Sequence, residues 1–420
     1  MACLKSSQLP LMLVIILGWA DDGEAKERSV ATSRRACVVI LPLGRGLFIW
    51  TSGEYVMLKS FRAENFRTLK DVSVGNLKGF NLVTGLNGSG KTSFLESLFL
   101  LLGANNATLV LALCNWRGES SFNPEVDYPF RGFFHNFDPK NVVELSGVGP
   151  SESGKRKLRK LQISPILRPS FETTSSAAQE IVSGLTLSYR SGRLKAGGSI
   201  EWKKTSAISE VENSQAVEKP PVQLVLSGDQ SPDYIPGHFI APRFHNPMQQ
   251  VGEQLGRRVK QKKIDDILTL MKDIEPRVKD LVPLSERGRT IVYVDVGLPS
   301  LLPLTALGSG FLNYLRLGLD CLDEPGGILL IDEIEEGIHH TLMKPLLKFL
   351  LRRTKEGNVQ IFASTHSDEI INALYDVAQE IETQDVCALR FQMVDQSVVA
   401  KSFSYKDLML ARQMRLEIRG

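Results

Sequence analysis

Hydrophobic and polar positions change their period several times along the chain, and each change marks an element. Leu58–Glu64 and Gly79–Thr84 read as strands, and Thr92–Leu102 reads as a long helix with an apolar face. Between Asp138 and Gly237 the runs shorten. Asn141–Leu145, Leu185–Tyr189, Ser199–Trp202 and Val222–Leu226 alternate briefly between Ser and Gly clusters, which predicts an antiparallel lobe. Gln249–Val278 reads as helix, and from Arg289 onward strand and helix alternate again. Ile328–Ile331 is continuously apolar, the pattern of a strand buried on both faces in a parallel sheet. No internal repeat and no sustained heptad is present. The expected organisation is an α/β domain whose halves are 57–137 and 289–420, with an inserted β-rich and helical lobe at 138–288.

Residues 1–56 stand apart. Their apolar run, Leu9–Trp19, is too short to span a bilayer and has the length of a signal-peptide core. The alternative is an extension outside the domain, read from too early a start. The second reading is preferred, because Met57 opens a self-consistent domain with Met57-Leu-Lys-Ser-Phe-Arg-Ala-Glu-Asn-Phe-Arg67. The extension is expected to be poorly ordered or loosely attached. Composition narrows the class: 43% hydrophobic and 23% charged residues fit a globular chain, and 34 Gly with 20 Pro exclude a collagen-like one. A net charge of +3 neither demands nor excludes a polyanionic partner. Five scattered cysteines without a CxxC pair fit a reducing compartment. Two basic clusters occur. Lys155, Arg156, Lys157, Arg159 and Lys160 read first as a solvated loop and second as a nucleic-acid contact; Arg257, Arg258, Lys260, Lys262 and Lys263 lie in the helical segment.

The chemistry lies at the two ends of the α/β pattern. Gly85-Leu-Asn87-Gly88-Ser89-Gly90-Lys91-Thr92 satisfies the GxxxxGK[ST] phosphate-loop pattern, between a strand and a helix as that loop requires. Glycines let backbone N–H groups turn toward phosphate oxygens, and the helix presents its positive end to them. Lys91 is suited to the outer phosphates, and the Thr92 hydroxyl to Mg²⁺. Asp332 and Glu333 end the apolar strand where open α/β sheets bind ligands. Asp332 can hold the Mg²⁺ shell, and Glu333 can polarise an attacking water. Gln360-Ile-Phe-Ala-Ser-Thr-His366-Ser367 reads as another buried strand, ending in a histidine within reach of a γ-phosphate. Gly308, Ser309 and Gly310 open a helix. From spacing alone they read as an ordinary helix cap, with a second anion site as the alternative.

With these segments in order, the chain resembles the ABC-type ATPases of the OLD/RecF-like group, AAA-type ATP-binding domains related to the heads of SMC proteins. The likeness runs from Phe61-Arg-Ala-Glu-Asn-Phe-Arg67 through the phosphate loop, Gly308–Gly310, Ile331-Asp-Glu-Ile-Glu-Glu-Gly-Ile-His339 and Thr365-His-Ser367 to Leu416-Glu-Ile-Arg419. It implies an ABC-type P-loop NTPase head, with a mixed, mainly parallel sheet flanked by helices. It also implies ATP and Mg²⁺ as cofactors and a homodimer closed head to head on two nucleotides. Lys91 and Thr92 of one protomer would face Ser309 and Gly310 of the other, with Glu333 as catalytic carboxylate and His366 as the switch histidine. Such a cytoplasmic ATPase acts as a switch for a partner, in a DNA-repair or anti-phage defence type of role. The partner implied is nucleic acid or a separate effector protein such as a nuclease, and no membrane partner is expected.

The sequence departs from the family in three places. The signature reads Leu-Gly-Ser-Gly, the run after Glu333 reads Glu335-Glu336-Gly337, and His339-His340 stands where His-Pro is common. Arg131–Phe137 occupies the region of the family's glutamine loop, with His135 and Asn136 as candidates there and ordinary packing as the alternative. A transporter's ATP-binding subunit is a second reading, opposed by the signature and by the long stretch between Lys91 and Asp332. A self-contained nuclease is a third, opposed by the short segment after His366. Nothing after His366 resembles the helical lid of a ring-forming AAA+ machine.

Overall fold

A computed structural model describes residues 47–49, 57–118, 130–150, 156–169, 180–204, 222–228, 233–241, 248–286, 288–323, 327–356 and 359–414. The chain begins with β1 (Leu47–Ile49), the hairpin β2 (Ser60–Phe66) and β3 (Leu69–Gly75), then β4 (Phe80–Thr84), α1 (Lys91–Leu102) and α2 (Thr108–Trp116). Five strands follow: β5 (Val143–Pro150), β6 (Arg156–Pro169), β7 (Glu180–Ser191), β8 (Leu194–Lys204) and β9 (Val222–Ser227). Next come β10 (Gly237–Ile240), α3 (Met248–Lys260), α4 (Asp265–Lys272) and a small antiparallel sheet of β11 (Asp280–Glu286), β12 (Arg289–Asp295) and β13 (Leu302–Pro303). The last part holds α5 (Ser309–Asp323), β14 (Gly327–Ile331), α6 (Met343–Glu356), β15 (Val359–Thr365), α7 (Asp368–Glu380), β16 (Val386–Val394), β17 (Ser397–Ser404) and α8 (Tyr405–Gln413).

The central sheet runs β1-β10-β14-β15-β4-β16-β17. Its five inner strands are parallel, and the two edge strands are antiparallel. Every residue of β4, β14 and β15 is buried, which is why these strands read as continuous apolar runs rather than as alternations. Alternation reappears in three dimensions. Val83, Ile328, Leu330 and Phe362 face one core, shared with α1 and a second sheet; Phe80, Leu82, Leu329, Ile331, Ile361 and Ala363 face another, shared with α3 to α8. The α/β, mainly parallel architecture expected from the sequence is the one found.

The second sheet, β3-β2-β5-β6-β7-β8-β9, is antiparallel throughout. It packs over α1, whose apolar residues are buried on nearly all sides between the two sheets. The segment 138–288 therefore does not stand apart as a lobe. β5 pairs with β2 from Ser60↔Val148 to Glu64↔Glu144, and β10 lies inside the central sheet against β14. The helix expected over Gln249–Val278 is two helices, because Lys262 takes a left-handed backbone between them.

The first basic cluster is not a solvated loop. Arg156 to Lys160 lie in β6, where Lys157 pairs with Asp233 at 2.8 Å, Lys160 pairs with Glu144, and Arg159 is buried 3.6 Å from Asp233. Lys155 lies outside the described residues, as do residues 1–46, 50–56 and the closing Leu416–Arg419. Within the N-terminal extension, β1 adds to the sheet edge through Leu47↔Phe239 to Ile49↔Gly237. No described helix is long and apolar enough to cross a membrane.

Candidate functional site

Register decides what meets at the carboxyl edge of the central sheet. Thr84 is paired with Thr365, and Ile331 with Ala363, so β4, β14 and β15 end side by side. The phosphate loop, Asp332-Glu333 and His366 therefore emerge together although Thr92 precedes Asp332 by 240 residues. This is the edge at which open α/β sheets bind ligands.

The turn out of β4 requires glycine. Gly85 has φ +144, and a Cβ there would lie 2.3 Å from the Phe391 carbonyl oxygen and 2.6 Å from Ser89 Oγ. The loop through Asn87, Gly88 and Gly90 then leads into α1, whose first residue is Lys91. The Lys91 ammonium curls back and donates to the carbonyls of Gly85 at 2.8 Å and Leu86 at 3.0 Å. It thus lies over the cradle rather than out in solvent. The Ser89 hydroxyl is buried with no hydrogen-bond partner among the described residues, an orphaned donor inside the cradle.

Thr92 Oγ1 donates to Asp332 Oδ2 at 2.9 Å, a contact across 240 residues of chain. Ser364 Oγ donates to Asp332 Oδ1 at 2.5 Å and accepts the Glu333 N–H at 2.8 Å. Burial pushes the Asp332 carboxyl above the usual carboxylate range. Its hydrogen bonds from Ser364 and Thr92 oppose that shift, while the negative charges of Glu333 and Glu96 add to it. A cation at this point relieves the strain of a buried negative charge. Mg²⁺ takes one or two protein oxygens and fills its remaining positions with waters and phosphates. A hydroxyl and a carboxylate 2.9 Å apart at the mouth of a phosphate loop fit that habit. Among the described residues no group of three or more His, Cys, Asp or Glu side chains is placed to hold a metal alone.

Glu333 follows with φ +52, left-handed backbone that a non-glycine residue takes only when held there. It is held by the Ser364 hydroxyl on its N–H, by the Glu336 N–H on its carbonyl at 2.9 Å, and by Ile334 N–H on the Ser364 carbonyl at 3.0 Å. Two residues on, Glu335 Oε1 accepts from Thr365 Oγ1 at 2.9 Å and from the His366 backbone N–H at 2.8 Å, and pairs with His366 Nδ1 at 2.8 Å. His366 itself is about half exposed, with 51% of its side chain accessible.

Gly308 and Ser309 are exposed at the start of α5, and no hydrogen bond joins Gly308–Gly310 to the phosphate loop among the described residues. Their neighbour is the loop after Asp332. A Cβ on Gly310 would lie 3.5 Å from the Gly337 carbonyl oxygen, and one on Gly337 would meet Asn313 Nδ2 at 2.2 Å. In the glutamine-loop region, His135 Nδ1 bonds the Arg67 carbonyl at 2.8 Å, and Asn136 is exposed with left-handed backbone. Arg67 lies over the Phe133 ring and pairs at 2.8 Å with Glu96, a buried carboxylate on α1 that Arg117 also grips. The sequence reading missed Ser364, Glu335 and Glu96. The available signal for Ser364 was a hydroxyl at the end of a strand too apolar to leave it unbonded.

Residues 60–281 match the family model described as "AAA domain", and residues 206–372 match a second, "AAA domain, putative AbiEii toxin, Type IV TA system". An "ATP/GTP phosphatase" of Helicobacter pylori is 24% identical over 367 residues, covering 77% of this chain and 89% of that protein. A "DNA replication and repair protein RecF" of Nitrosococcus oceani is 50% identical over 48 residues, 11% of this chain and 13% of that protein. Among solved structures, an Smc head domain with an extended coiled coil bound to the C-terminal domain of ScpA, from Pyrococcus furiosus, matches at TM-score 0.49 and 11% identity, covering 86% of this chain and all of that one. With a matched model spanning more than half of its length, the chain belongs to the AAA-domain family of ATPases.

Proposed function

We propose that the protein binds ATP with Mg²⁺, hydrolyses its β–γ bond, and uses the nucleotide to close two copies head to head as a switch for a partner. The observation that carries this reading is the Thr92–Asp332 hydrogen bond, which unites the phosphate loop with the carboxylate of β14 at one sheet edge. Mg²⁺ supplies charge neutralisation at the phosphates, and Thr92 and Asp332 are the residues that would hold it. Lys91, the N–H groups of Gly88 to Gly90 and the start of α1 bind and orient the phosphates. Glu333 orients and polarises the attacking water, and His366 meets the terminal phosphoryl group.

The exposed Gly308 and Ser309 at the start of α5 support a role in trans, since a helix start turned to solvent can complete a partner's phosphate site. The name of the Helicobacter pylori relative supports nucleotide hydrolysis. RecF's name supports a place near DNA repair, and the toxin–antitoxin description of the second family model supports a defence module. A nucleic acid or an effector protein is the partner class. In the test, Glu333→Gln is compared with the wild type for ATP binding and for phosphate release. Retained binding with turnover reduced at least about a hundredfold supports the assignment; equal turnover removes Glu333 from catalysis.

A further inference from the structure

We propose that the turn between α3 and α4 is a docking surface for the phosphate backbone of duplex nucleic acid, an inference that rests on the partner class given above. Arg257, Lys260, Lys262 and Lys263 are exposed there. Lys260, Lys262 and Lys263 form no ion pair among the described residues. The basic residues of β6 are the contrast: Lys157 and Lys160 are neutralised by Asp233 and Glu144, and Arg159 is buried beside Asp233. The nearest carboxylates along the chain, Asp265 and Asp266, open α4, where the positive end of the helix suits them. The field at the turn is therefore positive and faces solvent.

Lys262 stands at a position that suits glycine. α3 ends in a Schellman turn: the Lys262 N–H donates to the Val259 carbonyl at 3.0 Å, and the Lys263 N–H to the Arg258 carbonyl at 2.9 Å. Lys262 itself takes the left-handed conformation at φ +56, which glycine adopts freely and lysine only at a cost. The chain thus keeps an exposed charge here at some loss of stability. The turn is also held from beneath. Arg258 is buried and donates through Nη1 to the Lys263 carbonyl at 3.2 Å. Gln254 Nε2 on α3 donates to the buried Asp320 of α5 at 3.0 Å, and a Cβ on Gly318 of α5 would lie 2.4 Å from Leu270 of α4. The cations are presented on a fixed frame, so binding does not have to order it first.

The residue types favour one occupant. Lysines act as point charges, suited to phosphates at any angle rather than to the planar match of an arginine with one carboxylate. A duplex carries one charge per about 1.7 Å of its axis, so a compact group of cations gains most from it. Unpaired strands are held by aromatic rings that stack on their bases, and Arg257–Lys263 contains none. The surface therefore fits a paired backbone, bound without regard to sequence.

The experiment titrates the full chain against a short fluorescent duplex by anisotropy over a range of salt concentrations, with polyglutamate and unlabelled duplex as competitors. ATP hydrolysis is measured on the same samples. The logarithm of affinity is expected to fall linearly with the logarithm of salt. Lys260→Ala, Lys262→Gly and Lys263→Ala together should make that slope shallower by about 3, close to 1 for each lysine that meets a phosphate, and should weaken unrelated sequences alike. Lys160→Ala removes a cation already paired with Glu144 and should leave the slope as it is. Lys262→Gly alone should raise the urea midpoint while making the slope shallower by about 1, an outcome that a merely structural lysine would not give. Hydrolysis without duplex should match the wild type in every variant, since none of these residues lies at the phosphate-loop edge. The proposal is overturned by a wild type that does not bind duplex, by an unchanged slope in the triple variant, by an equal change in Lys160→Ala, or by polyglutamate competing as well as unlabelled duplex. ATP hydrolysis without duplex binding removes this surface and leaves the ATPase standing, whereas a lysine-dependent slope without hydrolysis keeps the surface and removes the ATPase reading.

Discussion

Replacing Ser364 by Ala removes one hydroxyl that is bonded on both sides. It donates to the buried Asp332 carboxylate at 2.5 Å and accepts the N–H of Glu333 at 2.8 Å. A hydrogen bond to a charged group contributes about 1.5–3 kcal/mol, and a neutral one about 0.5–1.5 kcal/mol. The variant should therefore lose about 2–4 kcal/mol of stability in the nucleotide-free state, measured as the change in urea unfolding. Function should suffer beyond that figure. Glu333 sits in left-handed backbone, a conformation that costs about 1–3 kcal/mol and persists only while its surroundings enforce it. With its N–H released, the residue can relax out of the attack position, so turnover should fall even at temperatures where the variant is fully folded. Nucleotide affinity should hold, because the Lys91 contacts lie on the loop's own carbonyls. A stability loss under about 0.5 kcal/mol together with normal turnover would mean that the Ser364 bonds hold neither the carboxylate nor the loop.

Three further outcomes are expected. Lys91→Ala should weaken ATP binding at least about tenfold in a fluorescent-nucleotide titration, through loss of a charge-assisted contact to the phosphates. Asp332→Asn should raise the unfolding temperature of the nucleotide-free protein at neutral pH while abolishing Mg²⁺-dependent turnover. The sign follows from burial: the folded-state pKa is raised, so the carboxyl's contribution to stability falls as pH rises from the ordinary carboxylate range through the folded value, and the neutral amide removes that fall. Arg67→Ala should destabilise the fold by about 3–5 kcal/mol in chemical denaturation, because it strips one of two cations from Glu96, whose side chain is 3% exposed.

Much of the fold could be read from the chain because the parallel strands are buried on both faces. Phe80–Thr84 and Ile328–Ile331 carry that fact in their composition, and the glycine-rich turn between strand and helix carries the phosphate loop. Pairing partners are a different matter. That β5 would extend the opening hairpin depends on antiparallel register with β2, and the alternation of β5 is compatible with any partner. Basic residues 156–160 looked like a loop because charge suggests solvent. Their counter-ions, Glu144 and Asp233, are supplied by a neighbouring strand and by a segment more than seventy residues downstream. Ser364 and Glu335 stood inside motifs already singled out, yet their partners follow from the one-step register between β14 and β15, which no spacing along the chain expresses. The same is true of Gln360, whose side chain grips the Leu58 backbone 302 residues away.

Light scattering on the full chain carrying Glu333→Gln, with and without Mg-ATP, shows whether the nucleotide closes two copies head to head. The expected result is a monomer that becomes a dimer only when ATP is bound, with Ser309→Arg blocking that change because it fills the exposed turn at the start of α5. An unchanged mass with ATP demonstrably bound would contradict it, leaving Gly308–Gly310 as a helix start and the ATPase without its switch.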